Sequence, residues 1–183
     1  MGVTVLDNIM YVVCEKSSVI SMYSIDTLSP LGKDIHVEGM NDPMDIVVCL
    51  DDRQLYAADW GDQPVDHCIW RVSADNHSYV KWLPTESTTD AFRVRTLSVT
   101  SRRLLVTSYP RSLRQYSTTD RQLLRVVQMP VDRLYHGVET THDTFVISHR
   151  DTAQDKEQYA VSELFIYCFS LSLKYANSLS AFV

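Results

Sequence analysis

The stretch DIVVCLDDRQLYAADW, Asp45–Trp60, decides the fold of this chain. It consists of two short apolar runs separated by the polar segment Asp51–Gln54. Apolar runs of this length around a short polar segment are typical of two antiparallel strands joined by a tight turn. The stretch therefore predicts a β-hairpin, and the next question is whether that hairpin recurs.

The second run of the hairpin, LYAADW at Leu55, has relatives elsewhere in the chain. They are MYVVCE at Met10, LLVTSY at Leu104 and TFVISH at Thr144. Their starts lie about 40–50 residues apart, which is the spacing of structural repeats. Each relative follows another apolar run and a polar turn, so the hairpin is predicted four times.

Two further strands are predicted after each of the first three hairpins. The third strand begins at Val19, Cys68 or Ser112, and the fourth reads KDIHVEGM, SYVKWLP or LLRVVQMP. Four antiparallel strands in a repeat of about 40–50 residues are typical of β-propeller blades. We therefore predict an all-β chain of propeller blades.

The repeat also sets the boundaries of these units. The three complete blades and one partial blade are predicted at about 3–40, 41–84, 93–130 and 131–150. Residues 1–150 thus form the blade domain, and 151–183 hold a charged loop and an apolar tail without repeat spacing. The tail stretch LFIYCFSLSL at Leu164 is either a third strand of the fourth blade or sequence outside the native fold. Closed propellers use about 4–8 blades, and we expect an incomplete propeller with an irregular tail, the alternative being a closed four-bladed form.

Composition restricts the classes of partner. The chain has 183 residues, of which 45% are hydrophobic, and a formal net charge of -6, as in ordinary globular proteins. Nucleic-acid recognition needs a basic stripe, so we expect no DNA partner. No signal-peptide pattern and no apolar run of about 20 residues occurs, so we expect a cytoplasmic protein without a membrane partner. The cysteines Cys14, Cys49, Cys68 and Cys168 form no C-x-x-C pair, and we expect reduced, buried thiols.

Blade 2 resembles the NHL repeat, which runs Pro, hydrophobic strand, Asp turn, Tyr-Val-Ala-Asp-like strand and aromatic-bearing strand. The matching residues are Pro43–Val48, Asp51-Asp52, Leu55–Asp59 and Ile69–Val72. The resemblance covers about residues 41–84 and is weaker in the neighbouring blades. The closing Asp is replaced by Ser108 in blade 3 and Ser148 in blade 4, and the Gly of the turn is absent from every copy.

This resemblance implies a platform that recognises proteins or RNA. Some six-bladed relatives are calcium-dependent hydrolases or lactonases, whose acidic and Asn ligands meet on the central axis. Here Glu15 and Asp59 lie at strand ends, but blades 3 and 4 carry no matching ligands. RING-type Cys/His spacing is also absent from the sequence, so ubiquitin-ligase activity is not supported.

The candidate binding residues are predicted where strands meet loops. They are Asp59, Trp60, Asp62, His67, Tyr109, Arg111 and His149. Trp60 is either an aromatic anchor for a partner or a residue packed between blades, with Asp59 capping the turn through backbone N–H groups. We favour the second interpretation, and we expect the loop that follows Trp60 to carry binding function.

Histidines and arginines suggest two further hypotheses. His136 and His149 are predicted to be cross-strand neighbours, although structural histidines are favoured over a functional pair. Eight arginines fall between Arg93 and Arg125 and could meet phosphate or acidic protein surfaces if they shared a face, but strand alternation scatters them. RNA therefore remains an alternative partner.

No hydrolase, metalloprotease, P-loop or dinucleotide motif is present in the sequence. We predict a non-enzymatic interaction module that binds a protein partner through its loops, with no catalytic residues, metal ligands or cofactor. The alternatives are a calcium-dependent lactonase or hydrolase and an RNA-binding propeller. The hydrolase alternative requires a bound divalent ion, whereas the RNA-binding alternative requires an affinity for RNA that depends strongly on salt.

Overall fold

A computed structural model describes residues 1–61, 63, 66–84, 93–109, 111–129, 133–141, 144–150 and 164–168. These residues form fifteen strands in four antiparallel sheets, each a meander of consecutive strands. The predicted all-β fold of propeller blades is confirmed, and the sheets do not close into a ring. Within the described ranges, no helix is long and apolar enough to span a membrane.

The first two sheets are complete four-stranded blades. Blade 1 contains β1 (Gly2–Leu6), β2 (Ile9–Val13), β3 (Val19–Ser24) and β4 (Ile35–His36). Blade 2 contains β5 (Pro43–Cys49), β6 (Gln54–Asp59), β7 (Cys68–Ser73) and β8 (Tyr79–Pro84). The stretch that predicted the hairpin is therefore β5, its turn and β6.

The other two sheets differ in strand number. Blade 3 contains β9 (Arg93–Thr100), β10 (Arg103–Tyr109), β11 (Ser112–Ser117) and β12 (Leu123–Gln128). Blade 4 contains β13 (Arg133–Thr141), β14 (Thr144–Arg150) and β15 (Leu164–Cys168). Because β15 pairs antiparallel with β14, the tail stretch at Leu164 supplies the third strand of blade 4. The charged loop 151–163 and the tail 169–183 lie outside the described residues.

Tight turns gather at one end of the blades, which we call the turn end. The turns after β3, β7 and β11 share one backbone hydrogen bond, in which the N–H of Leu28, His77 or Arg121 donates to the carbonyl of Ser24, Ser73 or Ser117. The three donors have left-handed backbones with φ of 53°, 58° and 64°. A conformation that favours glycine is therefore adopted three times by other residues.

A second repeated bond closes blades 1, 2 and 3 at the turn end. The N–H groups of Ile25, Ala74 and Thr118 donate to the carbonyls of Asn8, Arg53 and Arg102 at 3.0, 3.1 and 2.9 Å. Each bond joins the turn after the third strand to the turn after the first strand of the same blade. The repeat seen in the sequence is thus a repeat of backbone geometry.

Ion pairs link the turns of adjacent blades. Arg53 contacts Asp7 of blade 1 at 2.9 Å, and Arg102 contacts Asp51 of blade 2 at 3.5 Å. Both pairs are substantially exposed, and exposed pairs contribute only about 0–1 kcal/mol each. The blades must therefore be held together mainly by what lies between them.

The junctions on both sides of blade 2 are mainly apolar. Its face toward blade 1 includes Ile46, Leu55 and Trp70. Its face toward blade 3 includes the fully buried Trp82, whose ring meets the rings of Tyr56 and Tyr116 edge-on. Burying aromatic side chains removes about 150–250 Å² each from water, so these junctions are strong hydrophobic contacts.

The junction between blades 3 and 4 combines apolar residues with a buried carboxylate. Glu139 of β13 is 2% exposed in its side chain and contacts Arg103 at 3.2 Å and Arg125 at 3.5 Å. Gln115 donates to its other oxygen at 2.7 Å, and the guanidinium of Arg125 also lies over the ring of Phe145. Three strands of blade 3 thus converge on one side chain of blade 4.

Candidate functional site at the loop end

The end of the blades opposite the turns carries the connections after β2, β6 and β10, and we call it the loop end. Asp59 closes β6 at this end and is 1% exposed. Its carboxylate accepts the N–H groups of Asn41, Asp42 and Gly61 and the indole N–H of Trp70, at 2.7–3.1 Å for the shortest contacts. This is the capping role that the sequence favoured for Asp59.

Cys68 lies beside the same carboxylate, with its Sγ 4.0 Å from an oxygen of Asp59. Burial, and then the negative charge of Asp59, raises the pKa of the Cys68 thiol to about 12. The thiol is therefore protonated at neutral pH and completes a site that is fully occupied by donors. Cys49 is also buried, as predicted, whereas Cys14 is exposed.

Trp60 connects blades 2 and 3. Its indole N–H donates to the carbonyl of Val94 in β9, and its ring stacks on that of His67 with the centroids 6.1 Å apart. His67 itself is only 6% exposed. The geometry matches the favoured interpretation of a residue packed between blades.

The loop that follows Trp60 is fixed by contacts of its own. Gly61 has φ of 56°, and a Cβ at this position would lie 2.3 Å from the Cβ of Asp66. Gln63 and Asp66 exchange two hydrogen bonds, of 3.2 and 2.9 Å, across the loop. A side chain at position 61 would therefore displace Asp66 and disturb its hydrogen bonds with Gln63.

Gln63 in the loop after β6 and Arg111 between β10 and β11 are exposed on this end, as are Cys14, Glu15, Lys16 and Ser18 in the connection after β2. Tyr109 is the last residue of β10, two positions before Arg111 in the chain. The predicted site residue Asp62 lies outside the described residues. The loop end thus brings Asp59, Trp60 and His67 together as a buried support and leaves Gln63 and Arg111 accessible to solvent.

The two histidines of blade 4 are not paired across their strands. His136 is opposite Ser148, and His149 is opposite Leu134, because a register shift separates the two pairs. Successive residues of a strand face opposite sides of its sheet, so His136 and His149 point apart. His149 is buried, 4% exposed, and His142 lies outside the described residues.

Most of the described arginines of blade 3 are engaged within the chain. Arg103 and Arg125 hold Glu139, and Arg102 contacts Asp51. Arg95 lies over the ring of Tyr135, with its guanidinium carbon 4.4 Å from the centroid. These contacts spread the positive charges over several faces rather than one, which weakens the case for RNA.

A groove of about 330 Å³ runs along the inner strands of all four blades. The titratable side chains that line it are Asp45 of β5 and His136 of β13. The Asp45 carboxylate accepts the N–H of Ile46 at 2.9 Å and of Leu97 in β9 at 2.7 Å. Burial raises the pKa of Asp45, and these hydrogen bonds and the nearby His136 only partly oppose the shift.

Asp45 and Glu139 are the important charged residues that were not singled out from the sequence. Each interrupts a predicted strand with a carboxylate, and a charge inside an otherwise apolar strand is the signal that was available. In the parts of the chain that the structure describes, no group of three or more His, Cys, Asp or Glu side chains could hold a metal ion.

No known protein-family profile matches this chain, and no curated protein matches it. Among solved structures it is similar to the computationally designed Ika4 protein, with a TM-score of 0.61 at 10% identity over 91% of this chain and 89% of Ika4. Hydrazine synthase of Kuenenia stuttgartiensis gives 0.63 at 17% identity over 81% of this chain. The designed Ika8 protein gives 0.55 at 12% identity, also over 81%.

These similarities concern the fold alone, because the identities are low. The chain spans 43% of the hydrazine synthase chain and 42% of Ika8, but 89% of Ika4. A fold segment of this size is therefore nearly a whole chain in Ika4 and less than half of the chain in the other two proteins. The described residues form a set of propeller blades in an open arrangement.

Proposed function

We propose that this chain is a non-enzymatic interaction module that binds a protein partner at the loop end of its blades. The observation that carries the proposal is the anchoring of loop 60–67. Asp59 and Trp60 tie this loop to blades 2 and 3, while Gln63 and Arg111 remain exposed nearby in the fold. Loops presented by a rigid framework commonly carry binding function, and little ordering entropy is lost when they bind.

The chemistry of the supporting residues favours binding over catalysis. The Asp59 carboxylate already accepts four N–H groups, and Asp45 accepts two from different blades. A carboxylate occupied in this way is poorly suited to take a proton from a substrate or to coordinate an ion. The resemblance of blade 2 to the NHL repeat supports the same assignment, since that resemblance implies a recognition platform.

Site-specific photo-crosslinking tests the proposal. A photoreactive amino acid is placed at Gln63 or Arg111 on the loop end, and at Thr119 or Thr27, which are exposed in turns at the turn end, as matched controls. In an extract of the cells that produce the chain, we expect one protein to be crosslinked from both loop-end positions and from neither control. Equal labelling from both ends, or none from the loop end, contradicts the proposal.

The affinity of the captured protein for the purified chain then tests the role of the loop. We expect Gly61→Ala to weaken binding at least about 10-fold, because a Cβ at position 61 collides with Asp66. Leu124→Ala, at an exposed position of β12, serves as the control and should leave the affinity unchanged. Unchanged affinity in both variants places the binding site elsewhere on the molecule.

A further inference from the structure

The outer face of blade 1 is apolar and has no blade packed on it among the described residues. Val3 and Val5 of β1 are 53% and 45% exposed. Val3 pairs with Val12 of β2, and Val5 pairs with Met10, so these four side chains share one face of the sheet. The opposite face, with Leu6, packs on blade 2.

The positions of these four residues correspond to buried or half-buried positions in the next two blades. The paired residues of β1 and β2 can be numbered from the hairpin turn that joins the two strands. The second and fourth pairs are then Val5–Met10 and Val3–Val12. The same pairs are Val48–Leu55 and Ile46–Ala57 in blade 2, and Val99–Leu104 and Leu97–Val106 in blade 3.

In blades 2 and 3 these pairs form the contact with the preceding blade. Ile46, Leu55 and Ala57 belong to the apolar cluster between blades 1 and 2. Leu97, Leu104 and Val106 belong to the cluster between blades 2 and 3. Blade 1 therefore has the residues of a blade-to-blade junction on a face that no described blade covers.

The surface that fits this face is the side of blade 4 that points away from blade 3. In blade 4, Leu134, Phe145 and Ile147 belong to the cluster facing blade 3. Val138 pairs with Val146 across the two strands, and Val146 lies between Phe145 and Ile147 in the chain. Because successive residues of a strand face opposite sides of its sheet, this pair lies on the side that points away from blade 3. The same chain does not place this side on blade 1, because Val3 and Val5 remain exposed.

We propose that a second copy of this chain packs the free side of its fourth blade on the outer face of blade 1. The contact joins blade 4 of one copy to blade 1 of the other. Two copies related by a twofold axis form this contact twice, once in each direction. The result is a closed ring of eight blades, within the range of about 4–8 that closed propellers use. This surface differs from the loop end, so the dimer and the partner-binding function are tested separately.

The mass of the intact chain in solution provides the first test. We expect sedimentation at about 50 µM to give twice the monomer mass of 21.0 kDa. The double variant Val3→Arg, Val5→Arg should be monomeric and should raise the dissociation constant at least about 100-fold, because four charges would enter the two junctions. Val126→Arg, at a 45% exposed position of β12, is the matched control and should remain a dimer.

Crosslinking identifies the contacting surfaces without depending on a variant that breaks the dimer. In a Cys14→Ser background, chains carrying Val3→Cys and differently tagged chains carrying Val146→Cys are mixed and treated with a short bismaleimide. We expect a product that contains one chain of each kind. Circular dichroism of each variant verifies that the β-sheet content is unchanged.

Four results of the sedimentation experiments overturn the proposal. They are a monomeric wild type, a dimer that survives Val3→Arg with Val5→Arg, a dimer lost only with Val126→Arg, and open-ended oligomers. Crosslinking of Val3→Cys and Val146→Cys within a single chain also overturns it, because blade 4 would then close its own ring. Each of these results leaves the photo-crosslinking test of the loop end interpretable.

Discussion

The two junctions that flank blade 3 solve the same packing problem with different chemistry. Between blades 2 and 3, Trp82 lies fully buried against aromatic rings from both blades. Between blades 3 and 4, the buried Glu139 holds two arginines of blade 3. An apolar junction tolerates many partner shapes, whereas a buried carboxylate requires its cations in place. The second junction should therefore depend more strongly on the identity of its neighbouring blade.

The largest effect is expected in the apolar junction. Trp82→Ala should lower the free energy of unfolding by about 4 kcal/mol, because it removes a large buried side chain and leaves a cavity. Urea unfolding followed by circular dichroism measures the change. Val80→Ala, at a 37% exposed position of the same strand, is the control and should cost less than about 1 kcal/mol. Similar losses in the two variants would show that this junction contributes little.

A smaller loss is expected in the charged junction. Glu139→Gln should lower the free energy of unfolding by about 2 kcal/mol, because two arginines lose their carboxylate. The loss falls short of the full value for a buried pair, since the side chains of Arg103 and Arg125 are 29% and 16% exposed. The same urea experiment measures it.

Asp51→Asn is the matched control for Glu139→Gln, because it breaks the exposed pair with Arg102. We expect a change within about 0.5 kcal/mol. Equal losses of stability in the two variants would mean that the buried Glu139 contributes no more than the exposed pair at the turn end. The comparison between the two junctions would then fail.

Asp45 and Asp120 should give pH dependences of opposite sign. Burial raises the pKa of Asp45 above its ordinary value of 3.8, so its contribution to stability is fully present below 3.8 and is lost as the pH rises through the folded pKa. The Ser117 hydroxyl and the Gln122 N–H lower the pKa of Asp120, so its contribution is present above 3.8 and is lost as the pH falls through the folded pKa.

Differences from the matching asparagine variants isolate these two titrations. Between pH 7 and pH 3, the stability of the wild type relative to Asp45→Asn should rise as the pH falls, and that relative to Asp120→Asn should fall. Thermal unfolding in a series of buffers provides both curves. Parallel curves would mean that the Asp45 carboxylate is not desolvated where it links blades 2 and 3.

The smallest effect is expected outside all junctions, at the turn after β3. Leu28 is 69% exposed with φ of 53°, and Leu28→Gly should raise the free energy of unfolding by about 0.5 kcal/mol. Glycine relieves the left-handed backbone, although its greater freedom in the unfolded chain cancels part of the gain. Thr27→Gly, without a left-handed backbone to relieve, should instead destabilise. A loss at Leu28 would show that its side chain makes a contact that matters.

The sequence predicted the strands well because local rules determine them. Alternation and polar turns placed β2, β6 and β10 within about a residue of their observed starts at Ile9, Gln54 and Arg103. The capping role of Asp59 was also predictable, since the acceptors and the donors of a strand-end turn lie close together in the chain. The four-fold repeat made each local prediction support the others.

The buried charges were not predictable, because their partners depend on register and on packing between sheets. Glu139 meets Arg103 only when β13 lies against β9 and β10. The register shift in blade 4 similarly separates His136 from His149, and nothing in the sequence marks its position. Long-range packing between elements, rather than strand propensity, determined these parts of the site.

The consecutive order of the strands within each blade has a consequence for synthesis of the chain. Each complete blade is built from consecutive residues, so it can form as soon as its own stretch has left the ribosome. The loops that close as each blade forms are short, so the entropic cost of closing them is small. Such local strand pairing is unusual for an all-β protein. The growing chain would then add one blade at a time, and at every stage one apolar face of the newest blade would be exposed in addition to the outer face of blade 1.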